Sequence, residues 1–325
     1  IPNLFNKTHY VCHYRILQFY VRHGLRVTAV HKILAFKQQS ILAGYINKNT
    51  ELRKKAKSSF EKDFFKLMNN ACFGKTMENP HKRKDVRLVT TPQQAIKLTS
   101  KPQYLGYKEF HDSLYGVTMK TTRVTLDKPM FIGMAVLDLS KLLMFEFYYD
   151  YFKPKYPEAK LLYTDTDSLI INVPTEDIYE DLKSELEYYD TSDYPNTHPL
   201  FSNTNQKKIG VMKDEMNGKL ISEYVGLRSK QYSIKHETGT SSRAKGIQKC
   251  AIKNQEIRHE NYIEALNGEE VMRYPNTTIK SRGHVLETVV TNKKTLSAND
   301  TKRVMVTKEF AYALGHYKLM MTENW

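Results

Sequence analysis

Cysteine is scarce. The three present, Cys12, Cys72 and Cys250, are scattered and odd in number, which excludes a disulfide scaffold and suits an intracellular, reducing compartment. They offer no zinc spacing, and the 11 histidines are dispersed without cysteines or acids at ligand intervals. Long apolar runs are missing as well. The longest, residues 130–152, is broken by Asp138, Lys141, Glu146 and Asp150, which excludes a membrane crossing; it reads as a buried helix with Met130, Met134 and Met144 in the core. No secretory signal opens the chain, which begins at Ile1, so a piece of a longer protein is expected. Repeats and low-complexity segments are absent. What is present is aromatic: 22 Tyr and 14 Phe in 325 residues exclude disorder as the main state and supply cores for two to three structural units.

Acids are outnumbered, 35 against 50 Lys and Arg, for a net charge of +15. That balance speaks of partners rather than fold, and polyanions are the usual partners of such a surface. The distribution is uneven. Arg228 to Arg258 holds eight basic residues opposed by Glu237 and Glu256, whereas Thr175 to Asp193 holds eight acids against Lys183. One stretch invites an anion and the other repels it.

Changes of period outline the organisation. Residues 8–36 alternate loosely, as strands and a short helix do. Asn49-Thr50-Glu51 reads as a helix start and Gly74 as its stop, which predicts one helix over about 49–72. Residues 79–126, polar and rich in Lys and Thr, read as a small insertion. Leu161-Leu162-Tyr163 and Leu169-Ile170-Ile171 flank a polar Thr164-Asp165-Thr166-Asp167-Ser168 tip, the layout of a β-hairpin. An acidic helix is expected over 176–187, a hairpin about Asn217-Gly218 joining residues 209–212 to 220–221, and a strand over 231–235.

Two constellations carry chemistry. Asp165 and Asp167 stand two apart, so in extended chain their carboxylates emerge on one side. Close carboxylates repel unless a cation sits with them, and Mg²⁺ prefers a few carboxylates completed by substrate phosphates and water. A solvated turn is the plain alternative. An EF-hand is excluded because Leu169 and Ile170 occupy its ligand and glycine positions. On the predicted helix, Lys55, Lys62, Lys66 and Phe73 fall near one line with Asn70 beside it, a track for a triphosphate ending in a platform for a base. A solvated basic face is the alternative there. Phe64, Phe65, Leu67 and Met68 read as core.

These residues resemble a family. Tyr163-Thr164-Asp165-Thr166-Asp167-Ser168 matches Y-x-D-T-D-S, motif C of family B DNA polymerases. Lys66-Leu67-Met68-Asn69-Asn70-Ala71-Cys72-Phe73-Gly74 resembles their motif B, K-x-x-x-N-S-x-Y-G, and Lys230-Gln231-Tyr232 resembles their K-x-Y motif. The three occur in the family's order, and the text around them is closest to the protein-primed branch of phages, viruses and Polinton/Maverick-type mobile elements. The resemblance implies an α+β right-hand polymerase fold: a palm with an antiparallel sheet and helices, helical fingers and a small thumb. The matching divisions are 1–46, a palm segment; 47–79, fingers; 80–126, the insertion; 127–235, palm; and 236–325, thumb and C-terminal region.

It further implies DNA-directed DNA polymerase activity, nucleotidyl transfer to a primer 3′-hydroxyl by a two-metal mechanism, with two Mg²⁺ ions or Mn²⁺ in their place. Asp167 would be the main metal ligand and Asp165 the weaker one. Lys62 and Lys66 would hold the triphosphate, with a third contact nearer Lys54 by family analogy and Lys55 by helix geometry. Asn70, Phe73 and Gly74 would border the nascent base pair, and Tyr163, Lys230 and Tyr232 the DNA. Primer-template DNA, deoxynucleoside triphosphates and a terminal-protein primer are the implied partners, with no membrane.

Ala71 and Phe73 replace the family's common Ser and Tyr, so each position lacks a hydroxyl while the ring remains. Motif A, D-x-x-S-L-Y-P, has no counterpart in residues 1–65. Asp112-Ser113-Leu114-Tyr115 and Asp190 to Pro195 carry its flavour in the wrong place, and both read as loops. This chain by itself is therefore expected to bind DNA and to extend a primer poorly. The competing readings are a degenerate, non-catalytic DNA-binding fragment of a mobile element; a reverse transcriptase, whose palm carries adjacent aspartates rather than the pair separated by Thr166; and a non-enzymatic scaffold, which leaves the paired carboxylates unexplained.

Overall fold

Helix-forming runs and short strands alternate along the chain, and in a computed structural model they assemble into a mixed α+β structure with small sheets. The structure describes residues 6–254, 256–268, 273–282, 285–307 and 311–320. Two compact units result. The first comprises Val11–Leu142 with Ile279–Glu287, and the second takes the rest of the described chain.

In the first unit, α1 (Tyr14–Arg22) buries Ile16 and Phe19, one turn apart, and the backbone N–H of His13 before it donates to Asp138 Oδ2 at 2.6 Å. Residues 25–40 follow outside any helix or strand, where strands were expected. The single helix predicted for 49–72 is two: α2 (Ala43–Lys55) and α3 (Ser59–Thr76). The break at Ala56–Ser58 has a physical cause, a capping box at Ser58. Its Oγ accepts the Glu61 N–H at 3.1 Å while Glu61 Oε2 accepts the Ser58 N–H at 3.2 Å. Those backbone donors hold the Glu61 carboxyl below its ordinary pKa. Gly74 lies inside α3 and does not end it.

β1 (Asp85–Val89), α4 (Pro92–Thr99), β2 (Tyr104–His111) and β3 (Leu114–Met119) build the insertion. They form an antiparallel sheet in the order β1-β3-β2, with Leu98 of α4 packed on Val117 and Met119. Thr91 caps α4 through the Gln94 N–H, and Pro92 opens it. The apolar helix α5 (Met130–Phe145) passes into a wide π-helical turn over Glu146–Phe152. It is only partly the buried helix expected: Met144 is 8% exposed and Leu142 3%, but Met130 is 66% exposed and Val136 and Leu137 face solvent. A Cβ at Gly133 on this helix would meet the side chains of Met77 and Thr76, which would have to shift to admit it.

The second unit continues through α6 (Lys153–Lys155) to the hairpin of β4 (Lys160–Asp165) and β5 (Ser168–Asn172). Leu169 and Ile171 pack on the Tyr148, Phe152 and Tyr156 cluster. α7 (Ile178–Leu182), capped by Asp177, leads through a 3₁₀ turn to β6 (Tyr189–Asp190), which pairs in parallel with β7 (Met212–Lys213).

Asn217 and Gly218 do take positive φ, 55° and 82°, as a tight turn requires. They do not close the hairpin predicted there. The Asp214 carboxylate accepts the N–H groups of Met216 and Gly218 at 2.8 Å, so the loop is self-contained, and residue 221 begins a different ribbon. That ribbon is a three-stranded meander of β8 (Ile221–Arg228), β9 (Gln231–His236) and β10 (Gly239–Ala244). It shares a core with α8 (Lys249–Lys253) and α9 (His259–Leu266), in which Leu227, Ala251, Tyr262 and Leu296 are at most 1% exposed. A fully buried leucine such as Leu227 or Leu296 contributes roughly 1.5–3 kcal/mol over its exposed state. The chain finishes with the paired β11 (Arg273–Arg282) and β12 (Val285–Lys294), the short pair β13 (Arg303–Met305) and β14 (Ala311–Ala313), and α10 (Tyr317–Met320). Among the described residues no helix is long and apolar enough to cross a membrane.

Candidate functional site

The β4–β5 and β8–β9 hairpins place two short turns together. Asp165 pairs with Ser168, so Thr166 and Asp167 form a two-residue turn, and Arg228 pairs with Gln231, leaving Ser229 and Lys230 as another. Each turn puts a non-glycine residue at positive φ, Thr166 at 58° and Lys230 at 58°. Such a conformation costs about 1 kcal/mol or more for an L-residue and persists where contacts impose it.

The contacts at Lys230 are specific. Its backbone N–H donates to the Tyr163 hydroxyl at 3.2 Å, its carbonyl accepts the Lys245 N–H at 3.0 Å, and its ammonium stands 3.1 Å from Asp165 Oδ2. The hydrogen bond to Asp165 and that carboxylate's charge raise the Lys230 pKa above its ordinary value. Burial, and then the negative charge of Asp165, push the Tyr163 phenol up against the opposing Lys230 N–H. The rings of Tyr163 and Tyr232 lie 4.8 Å apart and those of Tyr224 and Tyr232 6.1 Å apart, a small aromatic wall beside the ion pair. Tyr163, Asp165, Lys230 and Tyr232 are thus one cluster.

Asp167 is exposed and has no cationic partner among the described residues, while its N–H donates to the Asp165 carbonyl at 2.6 Å. The simple alternation argument for the two carboxylates fails, because the chain reverses at Thr166–Asp167 rather than running on extended. Hard oxygen donors at a turn suit Mg²⁺, and a free carboxylate beside one already drawn to an ammonium is a fitting start to its ligand set. Among the described residues no three His, Cys, Asp or Glu side chains converge.

The lysine face belongs to the other unit. Lys62, Lys66 and Asn70 succeed one another at four-residue intervals on α3 and are exposed, with Phe73 half-buried and Gly74 exposed. Neither lysine has an acidic partner among the described residues. Lys55 sits on α2, so the predicted straight line through it does not exist; Lys54, also on α2, lies 3.5 Å from Glu51. Asn69 Nδ2 reaches Thr50 Oγ1 at 3.4 Å and links the two helices. The apolar side of α3 is not core as expected: Phe64 is 45% exposed and Leu67 63%. A Cβ at Gly74 would meet nothing within 4 Å.

Reading the residues singly missed the anchor of the Lys230 turn. Gln231, between the motif's lysine and tyrosine, is fully buried. Its Oε1 accepts from Arg228 Nε at 3.1 Å and from the Ser297 N–H at 3.3 Å, and its Nε2 donates to the Thr295 carbonyl at 2.7 Å. Arg303 donates to the carbonyls of Gly226 and Ala298, each at 3.0 Å, bracing the same ribbon. No local pattern announces such long-range pairs. Of the two motif A look-alikes, Asp112 sits in the β2–β3 turn and Asp190 is a buried brace accepting the N–H groups of Ser192 and Lys207 at 3.1 and 2.8 Å.

Compared with known proteins, the chain matches no family model, no curated protein and no solved structure.

Proposed function

We propose that the chain is the polymerase portion of a protein-primed family B DNA polymerase, with the right-hand architecture that family implies, and that its site performs template-directed nucleotidyl transfer. The observation that carries the reading is the meeting of Asp165 and Tyr163 with Lys230 and Tyr232: two stretches that resemble motifs of one family, far apart in sequence, form one cluster. In this reading Asp167 and Asp165 hold the catalytic cations, and Mg²⁺ when bound offsets triphosphate charge and favours the primer hydroxyl as nucleophile. Lys230 and the Tyr232 ring steady the primer end. Lys62 and Lys66, exposed and without acidic partners among the described residues, take the phosphates of the incoming nucleotide. Asn70, Phe73 and Gly74 border its base.

The test is binding, measured on the full chain. Primer-template DNA should bind with steep salt dependence, and a fluorescent deoxynucleoside triphosphate should bind in a Mg²⁺-dependent manner. Asp167→Asn should abolish the Mg²⁺ dependence and leave DNA binding intact. DNA binding without any Mg²⁺-dependent nucleotide binding favours the degenerate DNA-binding module, and a flat salt response defeats both. Because residues 1–65 contain no D-x-x-S-L-Y-P run, primer extension by the 325-residue chain should be slow; robust incorporation overturns that expectation.

A further inference from the structure

At one end of the β1-β3-β2 sheet three chain stretches converge. β3 is the central strand and antiparallel to both neighbours, so its last residue, Met119, lies opposite Asp85 at the start of β1 and Tyr104 at the start of β2. Lys120 follows directly, its N–H donating to the Gln103 carbonyl at 2.6 Å. Between these ends lies an open cleft of about 320 Å³. Four cations line it, Arg87, Lys101, Lys120 and Arg123, against one carboxylate, Asp85.

Asp85 is already engaged. Arg87 takes it bidentately, at 3.3 Å through Nε and 3.1 Å through Nη2. Lys101, Lys120 and Arg123 have no acidic partner among the described residues, and all three are exposed. Three exposed cations without acidic partners among the described residues, set around one concavity, give it a positive field that attracts an anion. Ligand pockets for small organic molecules are mostly apolar, whereas Met119 is the single apolar residue lining this one. No aromatic ring lines it, so nothing there stacks a base.

We infer that this cleft is a second nucleic-acid contact, which takes the phosphodiester backbone of a DNA strand on Lys101, Lys120 and Arg123 without reading its sequence. The inference rests on the polymerase reading for the identity of the polyanion, while the cleft's preference for phosphate rests on its own residues.

The experiment is fluorescence anisotropy of a labelled single-stranded oligonucleotide over a salt series, with the full chain. K101Q/K120Q/R123Q is compared with K48Q/K208Q/K302Q, an equal charge change at exposed lysines elsewhere. Each phosphate contact contributes about 0.7 to the log–log salt slope for a single strand, so the cleft variant should lose about 2 and the control variant far less. Circular dichroism should be the same for both variants, since the altered side chains are exposed. An unchanged slope in the cleft variant, or equal losses in the two variants, overturns the inference while leaving the polymerase reading in place. A wild-type chain that does not bind the oligonucleotide defeats both. Tripolyphosphate binding lost only in the cleft variant, with oligonucleotide binding unaffected, makes the cleft a free-polyphosphate site and overturns the strand assignment.

Discussion

The Lys230 ammonium lies 3.1 Å from Asp165 Oδ2, and the same residue's backbone N–H reaches the Tyr163 hydroxyl two residues before that aspartate. A cation recruited to Asp165 therefore meets an ammonium already in place. Because Asp165 raises the Lys230 pKa, the ammonium's share of the pair is fully present below the ordinary lysine value of about 10.4, while the carboxylate is ionised, and is lost as pH rises through the higher, folded value. Asp165→Asn should return the Lys230 amine toward its ordinary pKa, followed by NMR of labelled lysine. No change on substitution argues that the pair does not exist in solution.

Gln231→Ala removes a side chain that satisfies three groups inside the protein: the Ser297 N–H, the Thr295 carbonyl and the Arg228 guanidinium. Leaving buried partners unpaired costs about 1–3 kcal/mol, which chemical denaturation should register. The Lys230 turn loses its anchor at the same time, so primer-template affinity should fall with it. Stability loss with unaltered DNA affinity would separate the buried amide from the function of its neighbours.

Gly74 is exposed, helical and free of any atom that a Cβ would meet. Its presence has no packing reason inside the chain, and Gly74→Ala should stabilise the first unit by roughly 0.5–1 kcal/mol. If the backbone at Gly74 approaches a nucleotide, the same change should weaken triphosphate binding. A thermal shift upward with unchanged nucleotide affinity removes Gly74 from the proposed site.

Burial raises the cost of ionising Asp190, but hydrogen bonds from Ser192 and the Lys207 N–H outweigh it and hold the carboxyl below its ordinary pKa. A lowered folded pKa means stabilisation that is present above the ordinary aspartate value of about 3.9 and fades as pH falls through the lower, folded one. Asp190→Asn should therefore lower stability by about 1–3 kcal/mol at pH 7, and its gap from the wild type should narrow below pH 4. Thermal melts of both chains at pH 7, 4 and 3 measure this; a pH-independent gap rejects the ionised brace.

What was legible in the sequence was local. The β4–β5 hairpin announced itself because its apolar runs and polar tip lie within a dozen residues, and β9 because five successive residues carry its signal. The break between α2 and α3 was also written locally, as Ser58 and Glu61 three apart, but continuous helix-favouring composition on both sides concealed it. The Asn217-Gly218 turn was legible as a conformation and not as a pairing, since the strand beginning at Ile221 chose a partner that follows it rather than one that precedes it. An apolar helix such as α5 has no polar face to show which side will find a partner, so Met130 at 66% exposure could not be told from Met144 at 8%. The Lys230 cluster depends on a contact 67 residues apart, for which no periodicity exists.

The run of residues 25–40, outside any helix or strand, has a practical consequence for handling the protein. Val30, Ile33 and Leu34 are 63%, 84% and 71% exposed beside a backbone without ladder partners, and Arg26, Lys32 and Lys37 are spaced among them. Those like charges act as gatekeepers against edge-to-edge self-adhesion, and they do so only while unscreened. Raising ionic strength will thus erode its solubility, and moderate salt with added arginine is the better compromise.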